Sequence, residues 1–400
     1  MITVEVARTR ILAGLKPNPA EMVALGQALG RVLAEDVAAR VAHPPSDVSA
    51  MDGYAVQAAD LTIPSVTLTV VGESAAGRPF AGKVQKGEAV RIFTGAPLPA
   101  GADTVVMQED TSRDGERVSI TVTQTAGKHV RTAGLDFTVG QAMMRAGTVL
   151  GPRQIALAAA MNVPWLMVRR RPRVAVLSTG DEIVMPGDSL SPGQIVSSNG
   201  PGLAALVTAA GGEPVQLGIA ADSRDSLSAM VQAASGCDLL VTSGGASVGD
   251  YDLVQDVLAE QGMELDFWKI AMRPGKPLMF GNLKHVPVLG LPGNPVSAMV
   301  CAYLFLIPML RAMLGLSPEL PLQAAVLGAD VRANDERQEY LRGTLSRRAD
   351  GALVATPFAR QDSAVVSGLA AAECLIVRPA HAPEAKAGAA VEVLPLPDGF

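Results

Sequence analysis

Residues 238 to 252, running Asp-Leu-Leu-Val-Thr-Ser-Gly-Gly-Ala-Ser-Val-Gly-Asp-Tyr-Asp, join residue types that bind anions to residue types that bind cations. The apolar run Leu239 to Val241 predicts a buried strand, and helical spacing resumes near Asp252. Between them Gly244, Gly245 and Gly249 let backbone N–H groups approach a ligand, and the following helix adds its positive dipole end. Asp250 and Asp252 then place negative charge where a phosphate would sit. A Mg²⁺ ion reconciles the two, because it takes one or two carboxylates and fills its octahedron with phosphate oxygens and water. A plain strand-to-helix turn with solvated aspartates has the same composition, so the loop alone does not define a chemistry.

The elements around the loop supply the context. Arg169-Arg-Arg-Pro-Arg173 reads as a basic, solvated linker. After it, strands are predicted near 174–177, 214–219, 239–241, 264–270 and 286–289. Helices are predicted near 202–210, 226–234, 252–261 and from 295 to about 313. This alternation indicates a parallel, doubly wound sheet, in which ligands bind outside the carboxyl ends of the strands. Ser178-Thr-Gly-Asp-Glu182, Asp222, the 243–252 loop and Leu291-Pro-Gly-Asn-Pro295 are therefore expected to face one crevice. Its candidate binding residues are Thr179, Gly180, Ser243, Gly244, Gly245, Ser247, Gly249, Pro292, Gly293, Asn294, Pro295 and Ser297. Its candidate metal ligands are Glu182, Asp222, Asp250 and Asp252.

The flanks read differently. Residues 3–13 and 20–34 carry helix-like apolar spacing, and Gly151-Pro152 opens another helix. Between 46 and 134, short runs at Ser65–Val71, Ala89–Phe93, Thr104–Met107 and Val118–Thr123 predict a small β domain. Asp52-Gly53 and Thr94-Gly95 interrupt it with polar pairs that simple turn chemistry would also explain. From 317 to 400 short strands return, as in a small terminal barrel.

Composition narrows the classes. With 48% hydrophobic residues in 400, the chain can bury several cores, but only 4% are aromatic, which argues against base-stacking platforms for nucleic acid. The net charge of −6 means that an anionic substrate must be met by local cations or a metal ion. Cys237, Cys301 and Cys374 lie far apart, without zinc spacing, which fits a reducing compartment. The N-terminus carries charges where a signal peptide would be apolar, and the longest apolar stretch, Ala298–Leu310, is short for a bilayer. A cytoplasmic protein with no membrane or nucleic-acid partner is expected. His43, His129, His285 and His381 are scattered and suggest no catalytic pairing.

SAMDGYA at 49–55, RIFTGAP at 91–97, VLSTGDEI at 176–183, TSGGASVGDYD at 242–252, RPGK at 273–276 and LPGNPVS at 291–297 occur together in one order. This set resembles the molybdopterin molybdenumtransferases, the bacterial MoeA family, and is similar to the E domain of gephyrin. The resemblance implies insertion of molybdate into adenylylated molybdopterin, with Mg²⁺ and release of AMP, to give molybdenum cofactor. It implies an elongated homodimer with a split helical and linking domain (1–45 and 135–171), a small β domain (46–134), an α/β domain (172–316) and a C-terminal β-barrel (317–400). By the same resemblance Asp52, Thr94 and Asp136 are catalytic positions of the N-terminal half, and Glu182, Asp222 and Asp252 those of the crevice. Arg273 and Lys276 match a basic pair, and Arg342 and Ser363 fall where molybdate contacts are expected. Arg273 stands where other members carry Lys, so the charge survives in a different shape. A molybdopterin adenylyltransferase and molybdoenzymes would be delivery partners. Two other readings stay open on the residues: adenylylation of molybdopterin or cleavage of a nucleotide pyrophosphate, and a gephyrin-like scaffold.

Overall fold

In the strand Arg173–Thr179, Val174 and Val176 are buried in one apolar cluster and Ala175 and Leu177 in another, as period-two alternation requires of a sheet covered on both faces. The computed structural model describes residues 1–244 and 253–396 and divides into two compact units, one of residues 22–168 and one of residues 1–21 with 169–400. Gly245, Ser247, Gly249, Asp250 and Asp252 lie outside the described residues.

The larger unit is built on a six-stranded sheet in the order Glu213–Ala220, Arg173–Thr179, Leu239–Ser243, Val286–Leu291, Met279–Leu283, Met263–Trp268. The first four strands are parallel; Met279–Leu283 runs antiparallel between Val286–Leu291 and Met263–Trp268. From Arg173–Thr179 the chain moves to one edge, then returns to the other side at Leu239–Ser243, and this reversal opens a crevice at the carboxyl ends. Helices Asn199–Ala209 and Pro295–Met313, with Val4–Ala13, cover one face; Arg224–Ala233 and Leu253–Glu260 cover the other.

In the same unit, Gln338–Arg347, Leu353–Pro357, Gln323–Leu327, Ala390–Pro395 and Cys374–Arg378 close into a five-stranded barrel, because the last strand pairs back to the first. Met272–Arg273 adds to this barrel in parallel with Gln338–Arg347, pairing Arg273 with Glu339. The smaller unit holds a six-stranded sheet in the order Thr104–Met107, Gly53–Val56, Glu88–Ile92, Val66–Ser74, Arg117–Ile120, Thr111–Asp114.

Several local expectations change. The span 20–34 is not a helix; Ala20–Ala24 is a strand and Leu25–Gln27 a single 3₁₀ turn. Its spaced apolar residues do not form a buried stripe, since Met22 and Leu29 are exposed, and Gly30 takes φ +72°. The sheet is mixed, because the strand Met279–Leu283, which the alternation did not reveal, turns back as a hairpin to Val286–Leu291. The basic run is not a solvated linker: Arg170 forms a two-pronged pair with Asp238 at 2.7 and 2.9 Å. Finally, Pro295–Met313 is 19 residues long with mean hydropathy 1.8, enough to cross a bilayer, but 72% of that stretch is buried within the protein. Pro308 does not break it, because Ala302–Leu306 adopts π register just before the second α segment, Ile307–Met313.

Candidate functional site

At the strand reversal lies a cleft of about 800 Å³ lined by Thr179, Gly180, Glu182, Asp222, Ser243, Gly244 and Pro292 to Pro295. The described parts of all four predicted segments meet here. The two central strands end almost in contact: Gly244 has φ +95°, and a Cβ there would stand 2.5 Å from the Thr179 carbonyl oxygen. Only glycine permits that approach. Gly180, with φ +135°, lies beneath the Glu182 carboxylate, whose oxygens would be 2.5 and 2.7 Å from an added Cβ. Asp181 accepts a 2.9 Å bond from the Asp222 N–H, fixing the next loop.

These carboxylates crowd one another. Burial raises the Asp222 pKa, and the charges of Asp181 and Glu182 raise it further. Among the described residues no three His, Cys, Asp or Glu side chains converge as a metal site. The donor set nevertheless suits Mg²⁺, which needs one or two carboxylates and relieves their mutual repulsion. The buried Thr179 Oγ1 has no hydrogen-bond partner, as expected where a ligand or water completes the site.

A second pocket, of about 360 Å³, adjoins the first, and Pro277 lines both. Arg273, Lys276, Arg337, Ser297 and Ser363 line it, together with the acidic Glu339 and Asp362. Arg273 lies 3.7 Å from Glu339, and Arg337 pairs with Asp335, whose carboxyl it holds at about 2. Lys276 pairs with no carboxylate among the described residues, which leaves its charge for a ligand. Arg342 is 1% exposed and does not line the pocket; its guanidinium donates to the carbonyls of Asp362 at 2.9 Å and Val365 at 3.1 Å. It thus shapes the loop carrying Ser363, whose own carbonyl accepts from Val296 N–H in the first turn of the long helix.

In the smaller unit, Asp52 Oδ1 accepts bonds from both the backbone N–H and the hydroxyl of Thr94, at 2.7 and 2.8 Å. These bonds, backbone first, hold the Asp52 carboxyl below its usual range, with help from Arg91. Gly53 here is no mere turn residue: it is paired in the middle of the sheet, and a Cβ would collide with the Val106 carbonyl at 1.8 Å. Asp136 is exposed beside buried Phe137, and no hydrogen bond joins it to Asp52 or Thr94.

Sequence reasoning passed over Arg91, which bonds Gly53 O at 3.1 Å and Gln108 Oε1 at 2.8 Å while lying over the rings of Tyr54 and Phe93. The alternation of Arg91 with Phe93 was its only local signal. It also passed over Asn199, whose amide bonds Ser243 and Gly293, and Arg337 of the second pocket. Neither has a local signal.

Residues 2–162 match the MoeA N-terminal region (domain I and II), 175–312 a probable molybdopterin binding domain, and 324–396 the MoeA C-terminal region (domain IV). A molybdopterin molybdenumtransferase of Nostoc sp. is 41% identical over 81% of this chain and 77% of its own. That of Haemophilus influenzae is 34% identical over 99% and 98%. The chain belongs to the molybdopterin molybdenumtransferase family. A solved molybdopterin biosynthesis MoeA protein of Pyrococcus horikoshii superposes on this family member with a TM-score of 0.87, at 34% identity and 99% of both chains. The α/β domain and the closed terminal barrel are thus parts of a MoeA fold.

Proposed function

We propose that the protein inserts molybdate into adenylylated molybdopterin, with Mg²⁺-dependent release of AMP, and so completes molybdenum cofactor. The observation that carries this reading is the adjacency of two unlike compartments, a glycine- and carboxylate-lined cleft and a cationic pocket, that meet at Pro277. Adenylylated molybdopterin carries a pyrophosphate, which suits the first; molybdate is a tetrahedral dianion, which suits the second.

Within the cleft, the ends of the two central strands would bring backbone groups against the pyrophosphate. Glu182 and Asp222, with Asp250 and Asp252, would hold Mg²⁺, which when bound supplies Lewis-acid polarisation of the phosphoanhydride. Lys276 and Arg273 would hold molybdate by charge-assisted hydrogen bonds, with Ser297 and Ser363 as hydroxyl donors. Asp52, oriented by Thr94, and Asp136 would act from the N-terminal half. Positioning and electrostatics, without a covalent nucleophile, are then sufficient for phosphoryl chemistry.

The test is direct: purified protein is given adenylylated molybdopterin, MgCl₂ and molybdate, and AMP is followed. Molybdate-stimulated AMP release is expected. No release, or ATP consumption with free molybdopterin in its place, would move the assignment to the adenylylating reading. The protein is further proposed to be a cytoplasmic homodimer receiving its substrate from a molybdopterin adenylyltransferase and passing product to molybdoenzymes. Random mixing of Asp52→Ala with Glu182→Ala chains should restore about one quarter of wild-type sites if the two residues act across a two-fold dimer. Confirmed exchange without recovery would refute that sharing.

A further inference from the structure

Asn199 opens the helix Asn199–Ala209, at the point where the chain returns from its excursion after Arg173–Thr179. A single atom, Nδ2, lies 2.7 Å from Ser243 Oγ and 2.7 Å from the Gly293 carbonyl oxygen. The orientation of the amide follows from chemistry: a carbonyl oxygen only accepts, so the nitrogen must face Gly293. Ser243 is the last residue of its strand and the root of the glycine-rich loop. Gly293 is the centre of the Leu291-to-Pro295 turn. One side chain therefore ties together the carboxyl ends of two parallel strands and the start of a helix.

Other links run across the same gap, but they are longer. Gly244 N–H reaches the Leu291 carbonyl at 3.3 Å, and Ser243 Oγ lies 3.4 Å from the Pro292 carbonyl. Among the described residues, beyond the strand pairing itself, the amide of Asn199 makes the shortest of these links. Its Oδ1 is buried with no hydrogen-bond partner, which costs stability. What the amide provides is a fixed spacing between the strand end at Ser243 and the Leu291-to-Pro295 turn.

From this geometry we infer that Asn199 is a positioning residue for the reaction: it sets the separation of the strand end at Ser243 and the Leu291-to-Pro295 turn, and hence the width of the pyrophosphate cleft at that point. The inference rests on the proposed reading of that cleft. Asn199 does not line the cationic pocket, so molybdate binding is independent of it.

The experiment compares full-length wild type with Asn199→Asp, Asn199→Ala, Ser243→Ala and the Asn199→Ala/Ser243→Ala pair. Asn199→Asp keeps the shape but sets a carboxylate oxygen against the Gly293 carbonyl. Expected is a rise of about tenfold in KM for adenylylated molybdopterin, with KM for molybdate within about twofold and the melting temperature little changed. The double variant should be little worse than Asn199→Ala, because apart from its 3.4 Å contact with the Pro292 carbonyl Ser243 loses only a link that Asn199→Ala has already cut. AMP binding in the presence of MgCl₂, followed by calorimetry, should weaken in parallel. A wild-type KM in Asn199→Asp, or equal rises in both constants with a fall in melting temperature, overturns the inference. If wild type releases no AMP, the proposed function fails by itself; the clamp is then judged by AMP affinity, and equal affinity in wild type and Asn199→Asp overturns it.

Discussion

Arg342 and Gln361, nineteen residues apart, are joined by a two-way exchange: the Arg342 N–H donates to Gln361 Oε1 at 3.0 Å, and Gln361 Nε2 donates to the Arg342 carbonyl at 2.9 Å. The Gln361 side chain imitates a neighbouring strand. With the Arg342 guanidinium bonded to Asp362 and Val365, it folds the turn that presents Ser363 to the cationic pocket.

This relationship separates two roles for Arg342. If it acts by shaping the turn, Gln361→Ala should raise the molybdate concentration for half-maximal rate by about five- to tenfold, as Arg342→Lys should. Steady-state kinetics with varied molybdate checks this. An unchanged molybdate dependence in Gln361→Ala would show that the turn does not need this exchange.

The Glu182 carboxylate rests on the bare Cα of Gly180, so Gly180→Ala should push it aside and strain a backbone at φ +135°. The expected outcome is a Mg²⁺ requirement about tenfold higher, with much of the rate regained at saturating MgCl₂. An unchanged Mg²⁺ dependence of AMP release would remove Glu182 from the metal site.

Thr94 gives Asp52 two hydrogen bonds, and Thr94→Val removes only the hydroxyl one. The Asp52 carboxyl should rise toward its ordinary range, since it loses one of the bonds that favour its charged form. The acidic limb of the pH–rate profile should move to higher pH in Thr94→Val and stay in place in Thr94→Ser. Profiles that superpose would show that Asp52 does not titrate in the reaction.

Asp238 offers a stability test away from the chemistry. Burial pushes its pKa up, but the Arg170 pair, the Arg173 N–H and Asn18 more than offset this and leave it lowered. A lowered folded-state pKa means stability that is fully present above about pH 4, the unfolded value, and is lost as pH falls through the folded value. Asp238→Asn should therefore cost about 2 kcal/mol at pH 7, and the gap should shrink steadily in urea titrations below pH 4. A constant gap across that range would mean the carboxylate charge is not what the latch uses.

Local chemistry was legible from the residues themselves. The apolar Val174–Leu177 run, the glycines at 244, 245 and 249, the short strands between 317 and 400 and the order of six short motifs were enough for the α/β crevice, the terminal barrel and the family, because each depends on side-chain pattern or backbone freedom within a few residues. The error at 20–34 has the same origin: apolar spacing was read as a buried face, and only packing shows that Met22 and Leu29 remain outside.

What the tertiary structure alone decided are relations between residues far apart in the chain. Arg170 lies 68 residues from Asp238, and Asn199 lies 44 from Ser243 and 94 from Gly293. A lone arginine in a basic run, or a lone asparagine between serine and glycine, carries no mark of such a partner. Hydrogen bonds and ion pairs depend on distance in space, and that distance is set by how sheet, helices and barrel pack, not by any pattern along the chain.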